Sequence, residues 1–263
     1  MGKIDLTFAK NSFRRYLEDY DQKDPKIHLK KVHTFCVVEA ADYICTQEKI
    51  NEEDHELALL IALLHDIGRF EQLRLFNSYD DNRFDHASFG VQVLFKEGRI
   101  QEFIRTREFD EIIRQAIAWH SAYELPDMEE ERILLHCRII RDADKLDNFR
   151  VKATESLEAH FDVSKEVVEK EQVSSQVLEA VRNHRCLLRG ERKTHLDMWI
   201  SYLAFIFDLN FSSSFRYILE HDYINNNIDR MEYREENAAR SMEEIRNICM
   251  EYIQERCKTV NCQ

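Results

Sequence analysis

The chain has 263 residues, 44% of them hydrophobic, with five glycines, two prolines and a formal net charge of −13. So few glycines and prolines disfavour a turn-rich all-β fold. The acidic balance excludes a broad surface for nucleic-acid polymers or anionic membranes, both of which need dense Lys and Arg, so an anionic substrate needs a local positive group such as a bound metal ion.

Helical periodicity runs through most of the sequence. A first amphipathic helix is expected over about Phe8–Asp19, and a second from Pro25, which suits a first turn, to about Gln47. Asn51 is a good N-cap, and Glu52, Glu53 and Asp54 suit the positive start of a third helix. That helix carries Leu57, Leu60, Ile61 and Leu64 and ends near Asp66–Gly68, within the stretch LLHDIGRFEQ. The polar stretch NSYDDNRFD, from Asn77 to Asp85, reads as a loop. Further helices are expected at about His86–Glu97, Glu108–His120, Glu129–Asp144, Lys165–Arg185, Lys193–Phe207 and Tyr233–Cys257, with Asn225, Asn226 and Asn227 as an interruption. No stretch alternates as a strand does, so the expected fold is all-α.

The start, MGKIDLTFAKN, lacks the apolar segment of a signal peptide, and Leu6 stands where a myristoylation pattern needs Ser or Thr. No apolar run approaches a membrane span. Seven scattered cysteines without an export signal read as reduced thiols of a cytoplasmic protein, and Cys257 and Cys262 are expected to carry no chemistry.

Several polar residues fall on faces that should be buried. His33 shares a face with Leu29, Cys36, Val37, Ala40 and Ile44. Ala58 and Ile61 lead to His65, with Asp66 beside it. His86 lies with Phe89, Gly90, Val93 and Leu94; Ile113, Ala116 and Ile117 lead to His120; Ile133, Cys137 and Ile140 lead to Asp144. Burying one polar group without a partner costs about 1–3 kcal/mol, and a domain is stable by only about 5–15 kcal/mol. Six such groups must therefore satisfy one another. A metal centre does this, and imidazole with carboxylate suits Fe, Mn, Zn, Ni or Co. A lone core histidine is more often hydrogen-bonded than metal-bound, and His28, His55, His184, His195 and His221 keep that ordinary reading. His136 lies two turns before Asp144, about 12 Å away, too far to share its ion. His160 stays open as a substrate contact.

The order His33, His65-Asp66, His86, His120, Asp144 resembles the HD superfamily of metal-dependent hydrolases, in which a His-Asp pair ends a helix of a helical bundle. "HDIG" at His65–Gly68 is a common form of that pair, and "RDADKLDNF" (Arg141–Phe149) resembles the segment carrying the last aspartate. The resemblance covers about Lys26 to Arg150. It implies an HD metal-binding core over residues 26–150, preceded by an N-terminal helix over 1–25. Residues 151–263 follow as a C-terminal helical extension of the same globular unit, whose charged helices pack on the core or pair two subunits as a homodimer.

The resemblance also implies a ligand set. A first divalent ion falls to His33, His65, Asp66 and Asp144, and Asp66 bridges to a second held by His86 and His120. The two ions (Fe, Mn, Ni, Co or Zn) are expected to support hydrolysis of a small phosphorylated substrate, such as a nucleotide, by a metal-activated water. Asp66 and Arg69 are the expected catalytic residues, with Arg69, where many relatives carry Lys, gripping phosphate. Arg83 and Lys145 are weaker candidates for that work, Asp147 and Asn148 read as capping or supporting groups, and Trp199, Tyr202 and Phe205 read first as packing. The segment from His120 to Pro126 lacks the Gly-Tyr-Pro signature of the branch that cleaves cyclic dinucleotides. No Glu-Asp motif of the guanosine-tetraphosphate branch is present. A branch that hydrolyses dinucleoside polyphosphates uses a similar six-ligand set. The alternatives are a di-iron oxygenase built on the same ligands and a catalytically silent nucleotide-binding module.

Overall fold

Asp24, Asn51 and Asp85 each stop the chain and start a helix by accepting backbone N–H groups that the helix leaves unpaired. The computed structural model describes residues 4–79, 84–157 and 163–258, and these contain helices and turns but no strand. The chain divides into two compact units, residues 1–144 and 145–263. No helix among the described residues is long and apolar enough to cross a membrane.

The first unit holds α1 (Leu6–Leu17), α2 (Pro25–Gln47), α3 (Glu52–Leu64), α4 (Ile67–Phe76) and α5 (His86–Val91). A π-helical turn at Gln92–Lys96 and a 3-10 turn at Arg99–Glu102 lead to α6 (Asp110–Trp119) and the start of α7 (Glu131–Thr154). From Leu57 to Leu64 every residue of α3 is buried. A helix apolar all round must be central, and α3 packs against α1, α2 and α6. Each large aliphatic side chain removed from water there contributes about 1.5–3 kcal/mol. The carboxylate of Asp54, in the first turn of α3, accepts from Asn51, Arg132 and His136, so His136 serves α3.

Gly68 explains how α4 meets α5. A Cβ at this position would lie 2.3 Å from the His86 carbonyl oxygen and 2.5 Å from the Gly90 nitrogen. Only glycine lets the two backbones approach so closely, and that approach brings His86 toward Asp66. Asn77 closes α4 in the left-handed region, at φ 48°, which its short polar side chain tolerates.

The second unit takes the rest of α7, then α8 (Lys165–Val168), α9 (Ser175–Arg182), α10 (His195–Leu203), a 3-10 turn (Ala204–Asp208), α11 (Ser212–Glu220), α12 (Tyr223–Ile228) and α13 (Glu236–Lys258). Helices α9, α11 and α12 pack on α13.

The structure corrects several boundaries. The third helix stops at Leu64, and a new helix follows at once from Ile67. The helix expected to end at Asp144 runs on to Thr154. Lys165–Arg185 is two short helices, because Ser174 N-caps the second and gives both its backbone N–H and its hydroxyl to Asp197. Asn225–Asn227 lie inside α12 rather than breaking a helix, with Asn227 buried and donating to the carbonyls of Phe149 and Tyr223. Leu29 and Cys36 are only half-buried, because the inner face of α2 centres on Ile27, Thr34, Val37 and Ala41.

Candidate metal centre

His65 and His120 each sit one residue beyond the end of a helix, α3 and α6. In both, Nδ1 lies 2.7 Å from the carbonyl oxygen three residues back, that of Ala62 and of Ile117. A carbonyl only accepts, so Nδ1 carries the proton and Nε2 is left as a lone pair. His33 comes from the middle of α2, His86 from the first position of α5, just after its cap Asp85, and Asp144 from α7. Asp66 occupies the turn between α3 and α4, at φ −102° and ψ 16°. This break lets Asp66 project beside His65 instead of about 100° away, as successive residues do in a regular helix. From α1, the Tyr16 hydroxyl donates to the Ile67 carbonyl at 3.1 Å and so braces the turn.

The two oxygens of Asp66 face different partners. Oδ2 lies 3.6 Å from Nε2 of both His33 and His65. On the same side, Asp144 Oδ1 is 3.1 Å from His33 Nε2 and 3.9 Å from His65 Nε2. Asp66 Oδ1 lies 3.4 Å from His86 Nε2 and 3.7 Å from His120 Nε2. All four imidazoles and Asp66 are buried; the Asp144 side chain is 20% exposed, which leaves an approach from solvent.

Each oxygen of Asp66 also meets a cation. Lys30 Nζ is 2.6 Å from Oδ2, and Arg69 Nε is 3.9 Å from Oδ1. Arg69 is buried, donates to Gln72 Oε1 at 2.5 Å and to the Tyr79 carbonyl at 3.2 Å, and places Nη2 3.0 Å from His86 Nε2. Burial alone would raise the Asp66 carboxyl, but opposing charge, that of the Lys30 ammonium first, outweighs it and holds the group well below the usual carboxylate range. Asp144 behaves likewise: burial raises it, but the hydrogen bond and charge of His33 outweigh that and lower it. Burial pushes His65 from 6.5 down to about 4 against the pull of Asp66 and Asp144, so it is a neutral imidazole at pH 7.

These residues fit metal ions. The buried His65 Nε2 has no hydrogen-bond partner among the described residues, although its ring is anchored on the far side. Nε2 of His86 and Nε2 of His120 face each other at 3.1 Å. The first accepts from Arg69 and the second is a lone pair, so a shared cation relieves their repulsion. Two groups bring their ligand atoms within 4.8 Å of one another: His33, His65 and Asp144, and His65, Asp66 and His120. His86 belongs to neither group, but it meets Asp66 and His120 of the second and also Arg69.

The structure therefore gathers all six ligand candidates, and Arg69 with them. Lys145 instead pairs with Asp208 at 2.7 Å within the second unit. Trp199 is fully buried there, its indole N–H donating to the Asn227 carbonyl, while Asp147 accepts from Arg150. Arg83, His160 and Cys262 lie outside the described residues.

Three participants escaped the sequence reading. Lys30 precedes His33 by three residues, so one helical turn was the available signal. Gln72 holds Arg69, at the same spacing. Arg141, fully buried on α7, donates to the carbonyls of Trp119, Ala122 and Tyr123 and so ties the end of α6, where His120 sits, to the helix that carries Asp144.

Residues 32–149 match the family model of the HD domain, a span that includes all six ligand candidates. No curated protein and no solved structure matches the chain.

Proposed function

We propose that this chain, whose residues 32–149 match the HD domain, is a phosphohydrolase that uses two divalent ions and acts on a small phosphorylated metabolite, a nucleotide being the leading class. The observation that carries this reading is the Asp66 carboxylate, whose two oxygens face two separate sets of imidazoles. His33, His65, Asp66 and Asp144 would hold one ion, and Asp66, His86 and His120 the other. Bound there, the ions supply a hydroxide near neutral pH and stabilise charge on a phosphoryl oxygen.

The chain's own residues do the rest. Asp66 fixes the spacing of the two positions. Nδ1–H of His65 and of His120, each held by a carbonyl, keeps Nε2 of both rings turned inward. Arg69 brings a permanent positive charge to the wall beside Oδ1 and suits two oxygens of one phosphoryl group. In a protein of net charge −13, this local positive site is where an anion is drawn in. Nothing in the residue set reads a base, and we place the protein in the cytoplasm as part of the same proposal.

The test is a screen of phosphomonoesters and phosphodiesters on protein loaded separately with Fe, Mn, Ni, Co and Zn, with Asp66→Ala in parallel. Metal-dependent phosphate or nucleotide release that Asp66→Ala abolishes supports the reading. Two bound irons without hydrolysis, but with oxygen uptake on small polyols or phosphonates, would replace it with an oxygenase. Nucleotide binding without product would replace it with a silent binding module.

A further inference from the structure

Lys30 is the ammonium closest to the centre. It stands one turn before His33 on α2, and its Nζ meets Asp66 Oδ2 at 2.6 Å. That oxygen is the one facing His33 and His65. The Lys30 side chain is 18% exposed, whereas Asp66, His33 and His65 are nearly inaccessible, so it can turn outward and they cannot. On its outer side its Nζ lies 5.8 Å from the centroid of the Tyr79 ring. Tyr79 is itself held, its hydroxyl donating to the Lys26 carbonyl at 3.0 Å and its carbonyl accepting from Arg69.

An ion bound by His33, His65 and Asp66 shares Oδ2 with this ammonium. Two cations on one oxygen repel, and the low dielectric of a buried site strengthens the repulsion. The rigid imidazoles cannot yield, but a lysine on a flexible four-carbon stem can. Once displaced it needs an anion, and the phosphoryl group of the proposed substrate is the one that arrives.

We propose that Lys30, paired with Asp66 Oδ2, passes to the substrate's phosphoryl group when an ion binds there, and so adds to the cooperativity between metal and phosphate. The proposal rests on the phosphohydrolase reading and adds a phosphate-binding residue to it. An ordinary structural ion pair would not couple the two ligands. Coupling is reciprocal, so it can be read from the metal side alone.

The experiment titrates the full chain with Mn2+ by calorimetry, with and without inorganic phosphate, for the wild type, Lys30→Met and Lys30→Arg. In the wild type, phosphate strengthens Mn2+ binding about fivefold or more. Lys30→Met binds Mn2+ more tightly than the wild type when phosphate is absent, and phosphate then strengthens its affinity by a clearly smaller factor than in the wild type. Lys30→Arg keeps the coupling and guards against a Met variant that merely misfolds. A wild type that binds Mn2+ with no response to phosphate, or a Lys30→Met variant coupled as strongly as the wild type, overturns the role of Lys30 and leaves the metal centre standing. A wild type that binds no Mn2+ at all overturns the metal reading itself.

Discussion

Two buried aspartates, one in each unit, show what burial alone does not decide. Asp197, at the third position of α10, accepts from the backbone N–H groups of Ser174, Lys193 and Thr194 and from the Ser174 hydroxyl. Its partners are the orphan donors of helix starts, so its charge is spent on holding α9 and α10 in place. Asp66 is just as inaccessible, yet its neighbours are four imidazoles, a lysine and an arginine. One carboxylate is saturated by donors that cannot leave. The other is surrounded by lone pairs and by cations that an ion can replace. The chemistry of the partners separates a structural acid from a site.

The sharpest way to break this contrast is to remove each carboxylate. Asp66→Ala should weaken metal binding at both positions at least about a hundredfold and abolish turnover. Asp197→Ala should leave metal affinity unchanged but cost about 3 kcal/mol of stability by orphaning buried backbone donors. Metal titration and urea denaturation of both variants check the pair. A shift of metal affinity in Asp197→Ala would erase the distinction.

His65 extends the contrast to pH. Its folded-state pKa is lowered from 6.5 to about 4, so between those values the unfolded chain binds a proton that the folded chain does not. Metal-free stability should therefore fall as pH drops through this window, by up to about 3 kcal/mol from this group. His65→Gln should flatten that part of the curve in denaturation measured at successive pH values.

Gly68→Ala tests the backbone beneath the site. Its Cβ would force α4 and α5 apart, costing about 1–3 kcal/mol and moving His86. Metal analysis should then show preferential loss of the ion near His86 and His120. The smallest effect is expected from Arg69→Ala, which should raise KM about tenfold, the equivalent of one charged hydrogen bond. Steady-state kinetics with unchanged KM would return Arg69 to holding His86 and Gln72.

The helices and the ligand candidates were legible in the sequence for one reason: a buried polar residue on an apolar stripe contradicts its surroundings, and periodicity exposes it. His33, His65, His86, His120 and Asp144 each stood out this way, and the structure brings them together. Lys30 did not stand out, because a lysine on a half-exposed face is ordinary until its distance to Asp66 is known. The break at His65–Asp66 was half-legible. Apolar periodicity predicts a helix to that point, but the restart at Ile67 depends on Tyr16 and on the close approach of Gly68 to α5, both long-range. The second unit was read least well. Its short helices are set by caps such as Ser174 and Thr194, whose partner Asp197 becomes visible only when the chain is folded.

If Asp66 joins two ion positions, metal stoichiometry must show both. The measurement is elemental analysis of protein stripped of metal, reloaded with excess Mn2+ and dialysed, for the wild type and for His120→Ala. Two ions per chain in the wild type and one in the variant are predicted. A single ion in both, or none in either, would contradict the account.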